Sequence, residues 1–299
     1  MPRAEANGIE LEYETIGSAE DRPLLLISGL GSQMISWHED FCAQLAAKSF
    51  HVIRFDNRDS GLSARMEDAG YPDLAAAFGA NPQAPYQLDD MAADAVGLLD
   101  YLGIGAAHVA GASMGGYIAQ LVALNHPDRV MSLTSIMSGP ARAEAVEAKP
   151  EGMAVLMVTP PATREERIEV ALNGRRALLG SADPFDEAFE RARASRAVDR
   201  AYYAVGVARQ LAAILAGKPR LERLKNLRLP ALVIHGVDDV LVPVENGRLV
   251  AAAVPGARLM EFDGMGHDLP RRLWPQIVDA IDKVAGEAKM PTGRSNPGG

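Results

Sequence analysis

The segment Gly111-Ala112-Ser113-Met114-Gly115 places a serine between two glycines, each two positions away. The run before it, residues 106–110, predicts a short buried strand, and residues 116–124 after it predict a helix. A serine at so sharp a strand-to-helix turn exposes its hydroxyl, and glycines are needed where side chains would collide with the strand and the helix. We therefore predict that Ser113 is a nucleophile.

A serine hydroxyl attacks efficiently only when a neighbouring base takes its proton, and histidine is the usual base. His267 follows Gly264-Met265-Gly266 in a loop after the last predicted strand, where it can reach over Ser113. Local packing or capping accounts for His38, His51, His108 and His126. His235 ends a predicted strand and is expected to shape the next turn. We predict His267 as the base.

The base in turn needs a carboxylate that orients the imidazole and stabilises its charged form. Asp238 and Asp239 follow the predicted strand at residues 231–234, in a turn at the same edge of the sheet. Spacing does not separate the two, so both remain candidates, and the unused one is expected to be a surface turn residue.

Attack on a carbonyl also requires two backbone N–H donors for the oxyanion that forms. The N–H of Met114, at the start of the predicted helix, is the expected first donor. The glycine-rich loop Ser28-Gly29-Leu30-Gly31-Ser32 lets backbone approach a substrate closely, and we predict the N–H of Leu30 as the second. A glycine turn without function is the alternative for this loop.

A framework of strands and helices must position these groups. Alternating residues at 9–14, after an Asn7-Gly8 turn, predict a half-exposed strand. Apolar runs predict strands at 24–27, 52–55, 106–110, 131–136, 231–234 and 258–262. Helical patterns occur at 37–47, 88–102, 116–125, 243–254 and 273–284. Continuous apolar strands are covered on both faces, so the alternation predicts a doubly wound α/β sheet that binds ligands beyond its carboxyl ends.

Residues 139–225 lack a strand pattern and instead carry three amphipathic helical patterns, at 164–179, 184–198 and 202–215. We interpret this stretch as a helical cap inserted into the sheet domain, with ordinary covering helices as the alternative. The predicted sheet domain then comprises residues 1–138 and 226–288. Residues 289–299 are rich in proline, glycine and polar residues and predict a disordered tail.

Composition limits the classes of partner. The chain has 299 residues, of which 48% are hydrophobic, and its net charge is −9. An acidic protein lacks the basic face that nucleic acids and anionic membranes require, and no apolar stretch approaches the length of a membrane span. The single cysteine, Cys42, excludes an internal disulfide, so we expect a cytoplasmic protein. Metal-ligand and nucleotide-phosphate motifs are absent, so we expect no metal and no cofactor.

Four motifs together resemble the α/β-hydrolase superfamily over nearly the whole chain: residues 28–31, residues 56–63, the turn at Ser113, and residues 235–239 with Gly266-His267. Residues 59–61 and 264–270 are most similar to aclacinomycin methylesterase-like serine esterases. The resemblance implies the α/β-hydrolase fold, in which helices flank a mostly parallel central sheet and a helical cap is inserted. The chain order of serine, aspartate and histidine agrees with that family.

The resemblance also assigns roles to single residues. It selects Asp239 as the acid, because the family places this residue three positions after the glycine of His-Gly. It assigns the oxyanion donors to Leu30 and Met114. The family often has histidine where this chain has Ser28, and residues 56–58 match a turn motif that we interpret as structural.

These observations predict a serine hydrolase that cleaves small-molecule carboxylic esters through an acyl-enzyme intermediate. A lactonase, a C–C hydrolase or a perhydrolase would use the same groups, and a non-catalytic ligand-binding protein of the same fold is a further alternative. Trp37, Met137 and Tyr203 are candidates for an apolar substrate pocket, although packing in the core would also explain each of them.

Overall fold

The computed structural model describes residues 2–79 and 82–288. Its strands, β1 to β8 in chain order, are Arg3–Ala6, Ile9–Ile16, Arg22–Ile27, Phe50–Phe55, Ala107–Ala112, Val130–Ile136, Ala231–Gly236 and Arg258–Phe262. They form one sheet in the order β1-β2-β4-β3-β5-β6-β7-β8. β1 pairs antiparallel with β2, and β2 with β4, whereas the strands from β4 to β8 pair in parallel. The predicted mostly parallel α/β sheet is confirmed.

Helices cover the sheet and fill one long connection. In chain order α1 to α11 are Glu39–Ala46, Leu74–Ala77, Leu88–Tyr101, Met114–Asn125, Pro150–Leu156, Arg164–Leu178, Glu187–Arg200, Ala204–Leu215, Leu221–Leu224, Val244–Ala253 and Trp274–Ala285. A parallel strand pair needs only one crossover helix, but α5 to α9 all lie between β6 and β7.

The core lies on both faces of the sheet, and β3 shows how its sequence divides between them. Leu25 and Ile27 belong to the buried cluster that includes residues of α3 and α4. Leu24 and Leu26 point to the opposite face and belong to the cluster that includes residues of α1 and α11. Because successive side chains of a strand alternate between faces, a run that is apolar throughout fits a strand buried on both.

β8 departs from that rule. The apolar run at 258–262 predicted a strand covered on both faces, yet β8 is an edge strand that pairs only with β7. Arg258 and Glu261 are exposed on it. β1 and α5 were not predicted, because β1 is only four residues long and α5 has fewer than two full helical turns.

Residues 139–225 contain α5 to α9, and α6, α7 and α8 correspond to the three helices predicted there. We refer to residues 139–225 as the helical segment. The division into a sheet domain and a cap remains a prediction, and the predicted disordered tail at 289–299 lies outside the described residues. Within the described ranges, no helix has the length and apolar character needed to cross a membrane.

Candidate active site

Ser113 lies between the last residue of β5 and the first residue of α4. Its backbone has φ +55° and ψ −121°. Residues other than glycine rarely adopt this conformation, which costs on the order of 1–3 kcal/mol. A Cβ on Gly111 would lie 2.0 Å from the carbonyl oxygen of Gly115, and a Cβ on Gly115 would lie 2.0 Å from that of Ile27. The turn therefore requires both glycines, as the spacing predicted.

His267 joins Ser113 to Asp239. Its Nε2 lies 2.9 Å from the Ser113 hydroxyl, and its Nδ1 lies 2.7 Å from Oδ2 of Asp239. An ionised carboxylate only accepts hydrogen bonds, so Nδ1 of His267 is the donor and Nε2 of the neutral ring is left to accept from Ser113. The three predicted side chains thus form one hydrogen-bonded chain.

Asp239 is held as a carboxylate by its surroundings. Its Oδ1 accepts hydrogen bonds from the N–H groups of Leu241 and Val242, at 2.9 and 2.8 Å. Burial alone raises the pKa of Asp239, but its interactions with His267 and His235 and with the Val242 N–H outweigh burial and hold the pKa well below its usual range. Asp239 is therefore ionised when His267 is neutral.

His235, which the sequence places at the end of a strand where it is expected to shape the next turn, is a second histidine beside this carboxylate. It is fully buried, with Nε2 3.5 Å from Oδ2 of Asp239 and 2.7 Å from the carbonyl oxygen of Val242. Because that carbonyl can only accept, Nε2 of His235 carries a proton directed at this turn. His235 therefore stabilises the loop that presents Asp239.

Asp238 has a different role from its neighbour. Its Oδ2 accepts a hydrogen bond from the N–H of Ser181, at 2.9 Å, in the loop that follows α6. Hydrogen bonding with the side chain and then the backbone of Ser181 holds the pKa of Asp238 below its usual value. The geometry thus distinguishes the two aspartates: Asp239 contacts His267, and Asp238 connects the helical segment to the loop after β7.

The two predicted oxyanion donors are available. Within the described residues, neither the N–H of Leu30 nor that of Met114 donates a hydrogen bond to a protein acceptor. A Cβ on Gly29 would lie 3.3 Å from Cβ of Ser113, so the loop at 28–32 runs directly beside the nucleophile. Both donors therefore lie next to the serine and can serve a developing negative charge there.

Gln210 of α8 holds this oxyanion loop. It is fully buried, its side-chain oxygen accepts the N–H of Gly31 at 2.8 Å, and its side-chain nitrogen donates to the carbonyl oxygen of Arg58 at 2.8 Å. The Gly31 N–H is thereby engaged away from the nucleophile. Ser28, where the similar family often has histidine, accepts a hydrogen bond at its carbonyl oxygen from Asn57, at 3.1 Å.

The turn at 56–63 supports the same loop. Oδ1 of Asp56 accepts the N–H of Met34 at 2.7 Å, and Oδ2 accepts the N–H of Leu62 at 2.9 Å. Arg58 forms a buried ion pair with Asp94, with Nε and Oδ2 2.6 Å apart. These contacts support the interpretation of this motif as structural.

The helical segment also supports His267 directly. The N–H of His267 donates to the carbonyl oxygen of Leu178, the last residue of α6, at 2.8 Å. Two glycines permit this approach, since a Cβ on Gly266 would lie 2.2 Å from the Leu178 oxygen and one on Gly180 would lie 2.1 Å from the Gly264 oxygen. The end of α6 therefore fixes the backbone of the base.

A cavity of about 1120 Å³ opens at Ser113 and His267 and extends under the helical segment. Trp37 and Met137 line it, as predicted, together with Val155, Phe185 and Leu211 of the helical segment. Tyr203 does not belong to this lining, so its predicted place in the pocket was wrong. Its ring instead packs under the guanidinium groups of Arg65 and Arg209, at 4.5 and 5.7 Å.

The cavity is not apolar throughout. Asp268, next to the base, lines it, and burial together with the nearby Asp183 carboxylate raises the pKa of Asp268 to about 6. Arg175 of α6 lines it as well. Among residues 2–79 and 82–288 no group of three or more His, Cys, Asp or Glu side chains could hold a metal ion.

Comparisons with known proteins agree with this geometry. The model of the alpha/beta hydrolase fold family matches residues 22–270. A rhodomycin D methylesterase of Streptomyces sp. strain C5 is 32% identical over 296 residues, covering 91% of this chain and 94% of that protein. Another, from Streptomyces peucetius, is 31% identical over 293 residues, with the same coverage of 91% and 94%.

A solved structure extends the comparison to three dimensions. The enol-lactonase from Burkholderia xenovorans LB400 superposes with a TM-score of 0.73 at 25% identity, covering 96% of this chain and 100% of that one. The sheet order, the turn at Ser113 and the family match over residues 22–270 lead to one conclusion. The chain belongs to the α/β-hydrolase fold family.

Proposed function

We propose that this protein is a serine hydrolase of carboxylic esters. One observation carries the proposal: the Ser113 hydroxyl, His267 and Asp239 form an unbroken hydrogen-bonded chain, with distances of 2.9 and 2.7 Å, at the opening of a large cavity. The similarity to two rhodomycin D methylesterases supports an ester as substrate. A small-molecule ester, with its acyl and alcohol parts in the cavity, is the substrate class.

The reaction follows from the donors and acceptors. Oγ of Ser113 attacks the ester carbonyl while Nε2 of His267 takes its proton, and Asp239 stabilises the imidazolium. The N–H groups of Leu30 and Met114 hold the oxyanion, each contributing about 3 kcal/mol to lowering the barrier. The intermediate collapses, and His267 gives its proton to the departing alcohol. Water, deprotonated by the same ring, then hydrolyses the acyl-enzyme and releases the acid.

The helical segment serves as a cap in this proposal. Its α6 ends on the backbone of His267, its α8 holds the oxyanion loop through Gln210, and several of its side chains line the cavity. A cap of this kind excludes water from the acyl-enzyme and selects substrates by shape. The boundaries proposed for it are residues 139 and 225.

Lactone hydrolysis is the second candidate. A lactone is an internal ester that the same groups would open, and the similarity to the enol-lactonase favours it. A panel of simple esters and lactones of matched size decides between the two, because a lactonase would prefer the cyclic member of each pair in kcat/KM.

We also propose a cytoplasmic protein whose partner is a small molecule rather than nucleic acid or a membrane. The net charge of −9 supports this, because a phosphate-rich surface repels an acidic protein. The only cysteine, Cys42, is buried. Fractionation of cells that express the full chain tests the location, and an activity found with the membrane fraction would contradict it.

The function is tested with a chromogenic short-chain ester. Ser113→Ala should lower kcat by at least about 10³-fold, because the attacking atom is lost. Ser18→Ala, a change of an exposed serine in the turn between β2 and β3, serves as the control and should retain the wild-type rate. Equal rates for wild type and Ser113→Ala would overturn the proposal.

A further inference from the structure

Arg175 of α6 is a cation in the cavity whose donors are unused. About 40% of its side chain is accessible, and its nearest carboxylate oxygen, Oε2 of Glu190, lies 3.7 Å from Nε. That separation is too long for a hydrogen bond. Within the described residues the Arg175 guanidinium donates no hydrogen bond at all. Asp268 is the other carboxylate that attracts it, again without a hydrogen bond.

The other arginines that line this cavity are engaged. Arg272 donates two hydrogen bonds to Asp183, at 2.9 and 3.0 Å. Arg271 donates to Asp40 at 3.0 Å. Arg193 donates to both carboxylate oxygens of Glu190, at 3.0 and 3.2 Å. Glu190 is therefore engaged by Arg193, and among these four arginines Arg175 is the one that donates no hydrogen bond to a protein group.

Arg175 is part of the cavity lining, in the same cavity that opens at Ser113 and His267. Burial also lowers the pKa of this guanidinium to about 10. A guanidinium that donates to no protein group keeps its N–H donors available to a ligand in the cavity. A bound ligand that carries negative charge would supply a partner for Arg175.

Arg175 lies close to the catalytic histidine, so a negatively charged ligand group bound to it would lie near the reacting atoms. Leu178, three residues after Arg175 on α6, accepts the hydrogen bond from the His267 N–H. Three residues of helix rise about 4.5 Å, so Arg175 lies within one helical turn of the backbone contact that fixes the base. A molecule whose ester group lies at Ser113 can therefore extend towards Arg175 inside the same cavity.

We propose that Arg175 binds a carboxylate of the substrate, so that the preferred substrates are half-esters of dicarboxylic acids. The planar guanidinium suits a carboxylate because two parallel hydrogen bonds can form. This inference rests on the proposed esterase function and names its substrate class. The acid group is bound by Arg175 while the ester carbonyl lies against Ser113, Leu30 and Met114.

The test compares monomethyl with dimethyl esters of glutarate, adipate, suberate and sebacate, at pH 7.5. Both members of a pair offer a carbonyl oxygen at the far end, but only the monomethyl ester carries a charge there. Arg175→Met should lower kcat/KM for the best monomethyl ester by at least tenfold and change that for its dimethyl partner by less than threefold. Arg175→Lys should retain part of the preference.

Arg164→Met is the matched control. Arg164 lies at the start of the same helix, is half exposed, and pairs with Asp199 outside the cavity, so its loss removes the same charge from the chain. The Arg164→Met variant should hydrolyse both monomethyl and dimethyl esters with the kcat/KM of wild type. An equal effect of Arg175→Met on both classes would overturn the inference.

Calorimetric titration with suberate separates this inference from the esterase proposal, because binding requires no turnover. Wild type and Ser113→Ala should bind suberate equally, and Arg175→Met at least tenfold more weakly. Equal binding by wild type and Arg175→Met would overturn the carboxylate subsite. If Ser113→Ala hydrolyses esters at the wild-type rate, the esterase proposal fails while the titration still decides the subsite.

Discussion

The side-chain oxygen of Gln210 accepts a hydrogen bond from the N–H of Gly31, at 2.8 Å, although 179 residues separate the two. This bond connects α8 of the helical segment to the loop that presents the Leu30 N–H. The position of this proposed oxyanion donor therefore depends on how α8 docks against the sheet.

Replacing Gln210 by methionine should slow the reaction. The variant leaves the N–H of Gly31 and the carbonyl of Arg58 without these partners, so the oxyanion loop loses its fixed position. We expect kcat to fall about tenfold with KM changed less than twofold, since the oxyanion forms only after binding. Steady-state kinetics on a chromogenic ester measure both constants.

Gln120→Met is the control for that experiment. Gln120 is also a fully buried glutamine, but it hydrogen-bonds Ser135 and Gly139 away from the oxyanion loop. Both variants should lose stability, and only Gln210→Met should lose kcat at a temperature well below either melting transition. An unchanged kcat in Gln210→Met would show that the glutamine only stabilises the fold.

Asp239→Asn should lower kcat by about 10³–10⁴-fold, because the neutral amide no longer stabilises the imidazolium and favours the wrong tautomer of His267. The adjacent Asp238→Asn removes the same charge one position away, where the partner is the Ser181 N–H. It should retain activity within about threefold. If Asp238→Asn were as inactive as Asp239→Asn, the assignment of the acid would be wrong.

Gly115→Ala should destabilise the protein and abolish activity. Its Cβ would lie 2.0 Å from the carbonyl oxygen of Ile27 and 2.9 Å from that of Ser28, so β3 and the oxyanion loop must move. We expect a loss of at least about 2 kcal/mol in the free energy of unfolding, measured by urea denaturation.

Gly105→Ala is the matched glycine substitution, because no heavy atom lies within 4 Å of the added Cβ. The free energy of unfolding of Gly105→Ala should lie within about 1 kcal/mol of that of wild type. Similar losses at both positions would contradict the steric explanation of the turn.

Much of this site was predictable because its signals are local. The need for Gly111 follows from a clash with Gly115 within the same five residues, whereas Gly115 is required by Ile27 on the neighbouring strand β3. The apolar runs follow from burial on both sheet faces. The acid illustrates the limit, since Asp238 and Asp239 are adjacent in one turn. The similarity to a known family, rather than spacing, selected the residue that contacts His267.

The features that were missed depend on contacts distant in sequence. Gln210 and Gly31 meet only when α8 docks. His235 was expected to shape the turn after its strand, but its contact with Asp239 was not predicted. Tyr203 was a candidate for the pocket as a residue of the predicted cap, but the guanidinium groups of Arg65 and Arg209 lie over its ring. No local pattern distinguishes these environments before the chain is folded.

Asp268→Asn should change stability in a pH-dependent way. Burial and the Asp183 carboxylate raise the pKa of Asp268 to about 6, above the value near 3.9 that is usual for an unfolded chain. The stability that Asp268 contributes is therefore present at low pH and is lost as the pH rises through about 6. The asparagine, which cannot ionise, avoids that loss.

Urea unfolding at pH 5, 6, 7 and 8 measures the difference between Asp268→Asn and wild type. Between pH 5 and pH 8, the free energy of unfolding of Asp268→Asn should rise relative to that of wild type by on the order of 1 kcal/mol. A difference that is constant with pH, or that shifts in favour of wild type, would contradict the raised pKa.

Labelling with a fluorophosphonate, followed by intact mass and peptide mapping, tests the central claim most directly. A serine activated by His267 and facing an oxyanion site should take up one phosphonyl group per chain, on Ser113. His267→Ala should react far more slowly, and Ser113→Ala should remain unlabelled. Folded wild-type protein that stays unlabelled at Ser113 would contradict the account. Labelling at another serine, with ester hydrolysis continuing in Ser113→Ala, would contradict it as well.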